Sequence, residues 1–199
     1  YKFQILPGVN LSLEDKGLIL VQGPISFNGT SEKPIEISSK NGGKGIVVID
    51  AEEKSYISNT IFNNLRAPLI SSVNITGGLT FYNSKVDIEK SKFLNSLSED
   101  ALNLVKSPFK LKNTYFENIS SDALDVDFSD GVIEDSTFEK VSNDAIDVSG
   151  ARVMIKNVAI NFTGDKGISI GENGESNIDG LKIKNSFIGI AAKDLSIVN

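Results

Sequence analysis

Short alternating runs of apolar and polar residues fill the chain, and they recur at a fixed interval. Ser98-Glu99-Asp100-Ala101-Leu102-Asn103-Leu104 aligns with Ser120-Ser121-Asp122-Ala123-Leu124-Asp125-Val126, and both align with Ser142-Asn143-Asp144-Ala145-Ile146-Asp147-Val148, each 22 residues from the last. Gly164-Asp165-Lys166-Gly167-Ile168-Ser169-Ile170 keeps the frame, with Lys166 where the others carry aspartate. Phe93, Phe116, Phe138 and Ile160 form one apolar column of this repeat, and Leu111, Ile133, Ile155 and Ile178 form another. Each copy holds three alternating runs, such as Leu102-x-Leu104, Phe109-x-Leu111 and Phe116-x-x-Ile119. Alternation with period two predicts strands with one buried face.

A repeat this short, with three strands and no amphipathic helix, predicts a stack of identical coils. The fold expected is therefore all-β: a right-handed parallel β-helix of about 22 residues per coil. Neighbouring coils then lie about 4.8 Å apart, so that equivalent residues stack in vertical columns. Residues 51–199 read as the regular coils, with an insertion near 65–77, where Pro68 and Gly77-Gly78 break the pattern. Residues 1–50 read as irregular N-terminal coils and cap of the same single domain, 1–199, punctuated by Pro7-Gly8, Gly23-Pro24 and Asn41-Gly42-Gly43. The chain opens at Tyr1 without Met, as a mature or trimmed chain does. Leu195-Ser196-Ile197 still alternates near the end, so the stack is expected to continue beyond Asn199.

Composition narrows the function. The net charge is −6, and only two of the 20 basic residues, Arg66 and Arg152, are arginines, which argues against a nucleic-acid partner. No apolar run approaches the roughly 20 residues that cross a bilayer. With no cysteine and no histidine, disulfides, His/Cys zinc sites and Ser-His or Cys-His nucleophile pairs are excluded.

The chemistry-bearing feature is a ladder of aspartates. With Leu124, Val126 and Phe128 turned inward, Asp125 and Asp127 face out, and so does Asp147 one coil on. The outward column reads Asn103, Asp125, Asp147, Ser169, and a second, at the strand entrance, reads Asp100, Asp122, Asp144, Lys166. Two carboxylates about 4.8 Å apart repel each other, which raises a pKa or calls in a cation. Calcium suits such oxygen ligands, with Asp122, Asp125, Asp144 and Asp147 as its candidate ligands. Asn103, Asp125, Asp127 and Asp147 are the candidate ligand-binding residues, with Ala101, Ala123 and Ala145 as a shallow floor for a sugar ring. As turn formers at strand entrances, Asp100, Asp122 and Asp144 also have a purely structural reading. Asp125, Asp127 and Asp147 are the catalytic candidates, since glycoside hydrolysis needs two carboxyl groups at such spacings. Phe93, Phe116 and Phe138 read as core, whereas Tyr82 and Tyr115 fall at exposed parity.

Asp-Ala-Leu-Asp-Val at 122–126, Asp-Ala-Ile-Asp-Val at 144–148 and Asp-Lys-Gly-Ile-Ser at 165–169 resemble the bacterial right-handed β-helix repeat proteins of the pectate-lyase-like superfamily, of the secreted or surface-attached type without assigned activity. The resemblance spans roughly residues 57–199. It implies an extracellular or cell-surface protein, with polysaccharide or cell-surface glycan as partner. The Asn-Thr-Asp, Asp-Asp and Gly-His-Gly signature of polygalacturonases is absent. So is an arginine close to the aspartate face of the kind pectate lyases use. Three functions follow as expectations: a monomeric carbohydrate-binding module; a polysaccharide lyase or glycoside hydrolase using the aspartates; and a structural surface stalk.

Overall fold

The computed structural model describes residues 1–14, 16–40, 43–68 and 75–199. All of its strands pair in parallel, and no helix occurs among the described residues. Each strand bonds to the strand one coil before it and the strand one coil after it, which makes the chain a parallel β-helix with three sheets running along its length. The second sheet starts with Phe3–Ile5 and Ile25–Asn28 and continues through Val86–Glu89, Phe109–Lys112 and Gly131–Glu134. The third runs from Asn10–Ser12 and Ile35–Ser38 through Lys92–Leu94, Tyr115–Ile119 and Thr137–Val141. The first carries the aspartates. It runs from Ile19–Val21 and Ile46–Ile49 through Gly77–Tyr82, Asp100–Val105, Asp122–Asp127 and Ile146–Ser149.

Strands of the first 50 residues pair with those of the later coils. Their register steps vary, from 22 between Phe3 and Ile25 to 33 between Ile46 and Leu79, and settle at 22 in the regular coils. The insertion expected near 65–77 falls between Thr60–Asn63 and Gly77–Tyr82. Its residues 69–74 lie outside the described residues.

Stacking in register fills the interior with like upon like. Phe62, Phe93, Phe116 and Phe138 form a continuous ring stack, with centroids 4.9, 4.7 and 4.6 Å apart. All four are buried, and offset aromatic stacking adds to their burial energy. Leu111, Ile133, Ile155 and Ile178 pair in turn along the second sheet.

The corners repeat as strictly as the strands. Between the second and third sheets one residue per coil takes the left-handed conformation: Asn59, Lys90, Asn113, Asp135, Asn157 and Gly180. Asn, Asp and Gly tolerate it best. Hydroxyl ladders line the corners, because the amides there need partners inside the stack. The Ser84 amide donates to Ser107 Oγ at 2.9 Å, the Ser107 amide to Ser129 Oγ at 2.7 Å, and the Thr114 amide to Ser136 Oγ at 3.2 Å.

Phe116 sits mid-stack with a ring on either side, so Phe116→Ala leaves a cavity that neighbouring coils cannot close. We expect a loss of about 3–5 kcal/mol, measured as a lowered urea midpoint. Tyr115→Ala, on the half-exposed side of the same strand, should cost far less.

Candidate functional site on the aspartate face

The first sheet places its outward side chains as the repeat predicts. Thr80, Asn103, Asp125, Asp147 and Ser169 occupy one column in consecutive coils. Asp127 is paired in register between Val105 and Ser149. Leu102, Leu104, Leu124, Val126, Ile146 and Val148 are turned inward and fully buried. Asn103 donates from Nδ2 to Asp125 Oδ2 at 2.8 Å.

The entrance column divides into two kinds of aspartate. Asp122 Oδ1 accepts the Asp144 amide at 2.7 Å and Asn143 Nδ2 at 2.7 Å. Asp144 Oδ1 accepts the Lys166 amide at 2.8 Å, and its carboxylate also pairs with the Lys166 ammonium at 3.3 Å. These two brace successive corners, as turn-forming aspartates do. Asp100 does not. The Asp122 amide, which would be its equivalent donor, goes instead to the Glu99 carbonyl. Asp100 is 3% exposed, and its Oδ2 has no partner. It lies in register with Gly77, where an added Cβ would come within 2.8 Å of the Asn103 Cβ one coil on.

Burial and crowding of like charge raise the pKa of several of these acids above the ordinary carboxylate range. Burial pushes the Asp100 carboxyl up to about 7, reinforced by Asp122, Glu99 and Asp127. Burial, then the charges of Asp100, Asp127 and Asp147, pushes Asp125 up to about 9. Asp122 rises to about 6, mainly through burial. Burial also raises Asp127 and Asp144.

Charged columns on the other two sheets are compensated. On the second sheet Glu89, Lys112, Glu134, Lys156 and Asp179 succeed one another in register with alternating sign, and Lys112 pairs with Glu134 at 3.1 Å. On the third sheet Glu117 stacks on Glu139, but Lys140 pairs with the first at 3.0 Å and Asn161 donates to the second at 3.0 Å. Among the described residues Asp100, Asp125, Asp127 and Asp147 have no basic partner. Lys166 is held by Asp144 and Asp165, so it is not free to act as a base.

Two expected details are corrected. Ala101, Ala123 and Ala145 are 3%, 0% and 0% exposed and belong to the core. The chain turns into the strand there, so strict alternation has not yet begun, and no floor is left for a sugar. Phe128 is 55% exposed rather than inward, because the strand has ended and the residue takes the left-handed corner conformation, φ 50°. The four candidate calcium ligands, Asp122, Asp125, Asp144 and Asp147, share the face, but two of them are engaged by backbone amides. Among the described residues no group of three or more acidic side chains is arranged to hold a metal ion. Tyr82 and Tyr115 are half-buried.

Residues 101–199, about half of the chain, match the family described as "Right handed beta helix region". The protein is a right-handed parallel β-helix. No curated protein matches the sequence. Solved structures with weak likeness to this β-helix include the catalytic domain of a GH87 alpha-1,3-glucanase in complex with tetrasaccharides, at 11% identity and a TM-score of 0.32, over 100% of this chain and 63% of that one. The catalytic unit of the thermostable GH87 alpha-1,3-glucanase from Streptomyces thermodiastaticus strain HF3-3 aligns at 10% identity and a TM-score of 0.26, over 97% and 62%. The chain therefore spans less than two thirds of these domains.

The raised carboxyl groups set the pH dependence of the β-helix. Unfolded, Asp100 and Asp125 ionise near 4; folded, they hold their protons up to about 7 and about 9. The folded state binds more protons between those limits, so stability falls as pH rises from 4 to 9. Asp125→Asn keeps the shape of the neutral acid and abolishes its ionisation. It should raise the melting temperature at pH 8 by at least about 2–4 °C, the shift of about 1 kcal/mol, and change it little at pH 4. Equal shifts at both pH values would show that Asp125 is not held neutral by the fold.

Proposed function

We propose that the aspartate face of the first sheet binds a polysaccharide outside the cytoplasm. The observation that carries this reading is the set of buried polar atoms on that face without partners: Asp100 Oδ2, Asp147 Oδ1 and Ser169 Oγ. A buried polar atom left unpaired is costly, and a ligand that supplies the missing bond recovers that energy. Neutral carboxylic acids, an amide and hydroxyls both donate and accept, which suits the hydroxyl groups of a sugar chain. A neutral glycan fits better than a uronate, which the net charge and the ionisable acids repel.

Calcium is the second means of relieving the crowding, and it takes over from the proton as the acids ionise. Of the ligands expected from the sequence, Asp125 and Asp147 are the two that no backbone amide engages, whereas Asp122 and Asp144 brace the corners. A catalytic reading rests on a different observation, the separation of Asp125 from its neighbours in acidity. An acid that holds its proton up to about 9 beside carboxyl groups that ionise at about 7 and about 6, Asp100 and Asp122, is the division that glycoside hydrolysis uses.

Affinity electrophoresis in gels containing laminarin, dextran, chitosan or polygalacturonate tests the reading. We expect retardation by a neutral glucan, weakened about tenfold in the Asp125→Asn, Asp147→Asn double variant. Failure of every gel to retard the protein would remove the proposal. Release of reducing ends from the bound glucan, abolished in the same double variant, separates catalysis from binding alone. For the cation, millimolar calcium should raise the melting temperature at pH 8.5 and leave it unmoved at pH 5; a flat response at both removes calcium.

A further inference from the structure

Phe128 occupies a backbone position ill suited to it. The corner column that closes the first sheet contains Asp50, Asn83, Lys106, Phe128 and Gly150, all with positive φ. Asp, Asn and Gly adopt this conformation with little strain, whereas a bulky aromatic residue there is an outlier. The side chain gains little from burial, since the residue is 55% exposed. Its position is nevertheless defined. A Cβ built on Gly150, one coil on, would lie 2.6 Å from both Cδ1 and Cε1 of the ring, so the ring lies across Gly150 and needs a glycine beneath it. Asp127 of the aspartate face immediately precedes Phe128, and Ser149, the register partner of Asp127, immediately precedes Gly150.

We propose that Phe128 is the stacking platform of the aspartate face, receiving the apolar face of one sugar ring while the hydroxyls of that sugar reach Asp127 and the acid column beside it. This rests on the polysaccharide reading above. The division of labour is physical. Pyranose rings are amphipathic, with axial C–H groups on their faces and hydroxyls at their edges. An exposed, fixed aromatic ring takes the face, and the carboxyl and amide groups take the edge. Gly150 sets the tilt of the ring and is a positioning residue. Phe162 supplies a contrast. It shares the left-handed backbone, at φ 58°, and is 53% exposed, but it lies at the end of the third sheet, with no member of the acid column next to it in the chain.

Four variants separate the platform from a packing role, with binding read by electrophoresis in laminarin and dextran gels and stability read by melting. Phe128→Asn places a left-handed-tolerant residue in the corner. It should melt at or above the parent temperature yet lose about tenfold in affinity. Phe128→Tyr should bind like the parent. Gly150→Asn should displace the ring and weaken binding with Phe128 intact. Phe162→Asn should gain stability in the same way and keep full affinity. The platform is overturned if Phe128→Asn binds like the parent while Asp125→Asn does not, an outcome that leaves the polysaccharide reading standing. It is also overturned if Phe162→Asn loses as much affinity as Phe128→Asn. A parent chain that none of the laminarin, dextran, chitosan or polygalacturonate gels retards sinks both proposals together.

Discussion

Parallel hydrogen bonding between consecutive coils, held in strict register, is the constraint from which the rest of this structure follows. Once one coil bonds to the next residue for residue, every position along the repeat becomes a column, and each column must be tolerable as a stack of its own kind. Apolar columns satisfy this by packing, as in the ring stack from Phe62 to Phe138. Corner columns satisfy it with residues that accept positive φ, and with hydroxyls that pass hydrogen bonds from coil to coil. Charged columns are the hardest case, because register forces like groups to within one strand spacing.

The protein meets that difficulty in three ways, and the differences are informative. The second sheet alternates the sign of successive charges. The third brings in Lys140 and Asn161 beside two stacked glutamates. The first does neither. It buries Asp100 and Asp125 so that they hold their protons to higher pH. A column that served only as a solvated face could have used either of the other two solutions, both of which this chain already employs one sheet away. A purely structural stalk therefore gives no reason for the first sheet to differ from its neighbours. A surface that must present proton donors and acceptors to a ligand does.

Most of the architecture was legible in the sequence because repetition reports on registry directly. Phe93, Phe116 and Phe138 recur at steps of 23 and 22 residues, and a column of identical side chains has one simple explanation. The acid column Asn103, Asp125, Asp147, Ser169 was legible for the same reason. What failed was alternation at the strand ends. Ala123 and Leu124 are both buried because the chain is still turning out of its corner. Phe128 faces out because the strand is over and its backbone has become left-handed. Period-two reasoning holds only inside the extended segment, and in strands this short the ends are a large part of the whole.

Asp100 shows a subtler limit. It shares its letter and its column with Asp122 and Asp144, so the repeat alone assigns all three the same corner role. Their neighbours break the equivalence. Asn143 and the Asp144 amide both turn to Asp122, whereas the position equivalent to Asn143 one coil earlier is Ser121, and the amide that Asp100 would need bonds to the Glu99 carbonyl. One changed side chain and one redirected amide convert a brace into a buried acid with an unpaired oxygen. In a repeat fold the conspicuous periodic residues build the scaffold. A functional position is better sought where a member of a column has lost the partner that its equivalents retain.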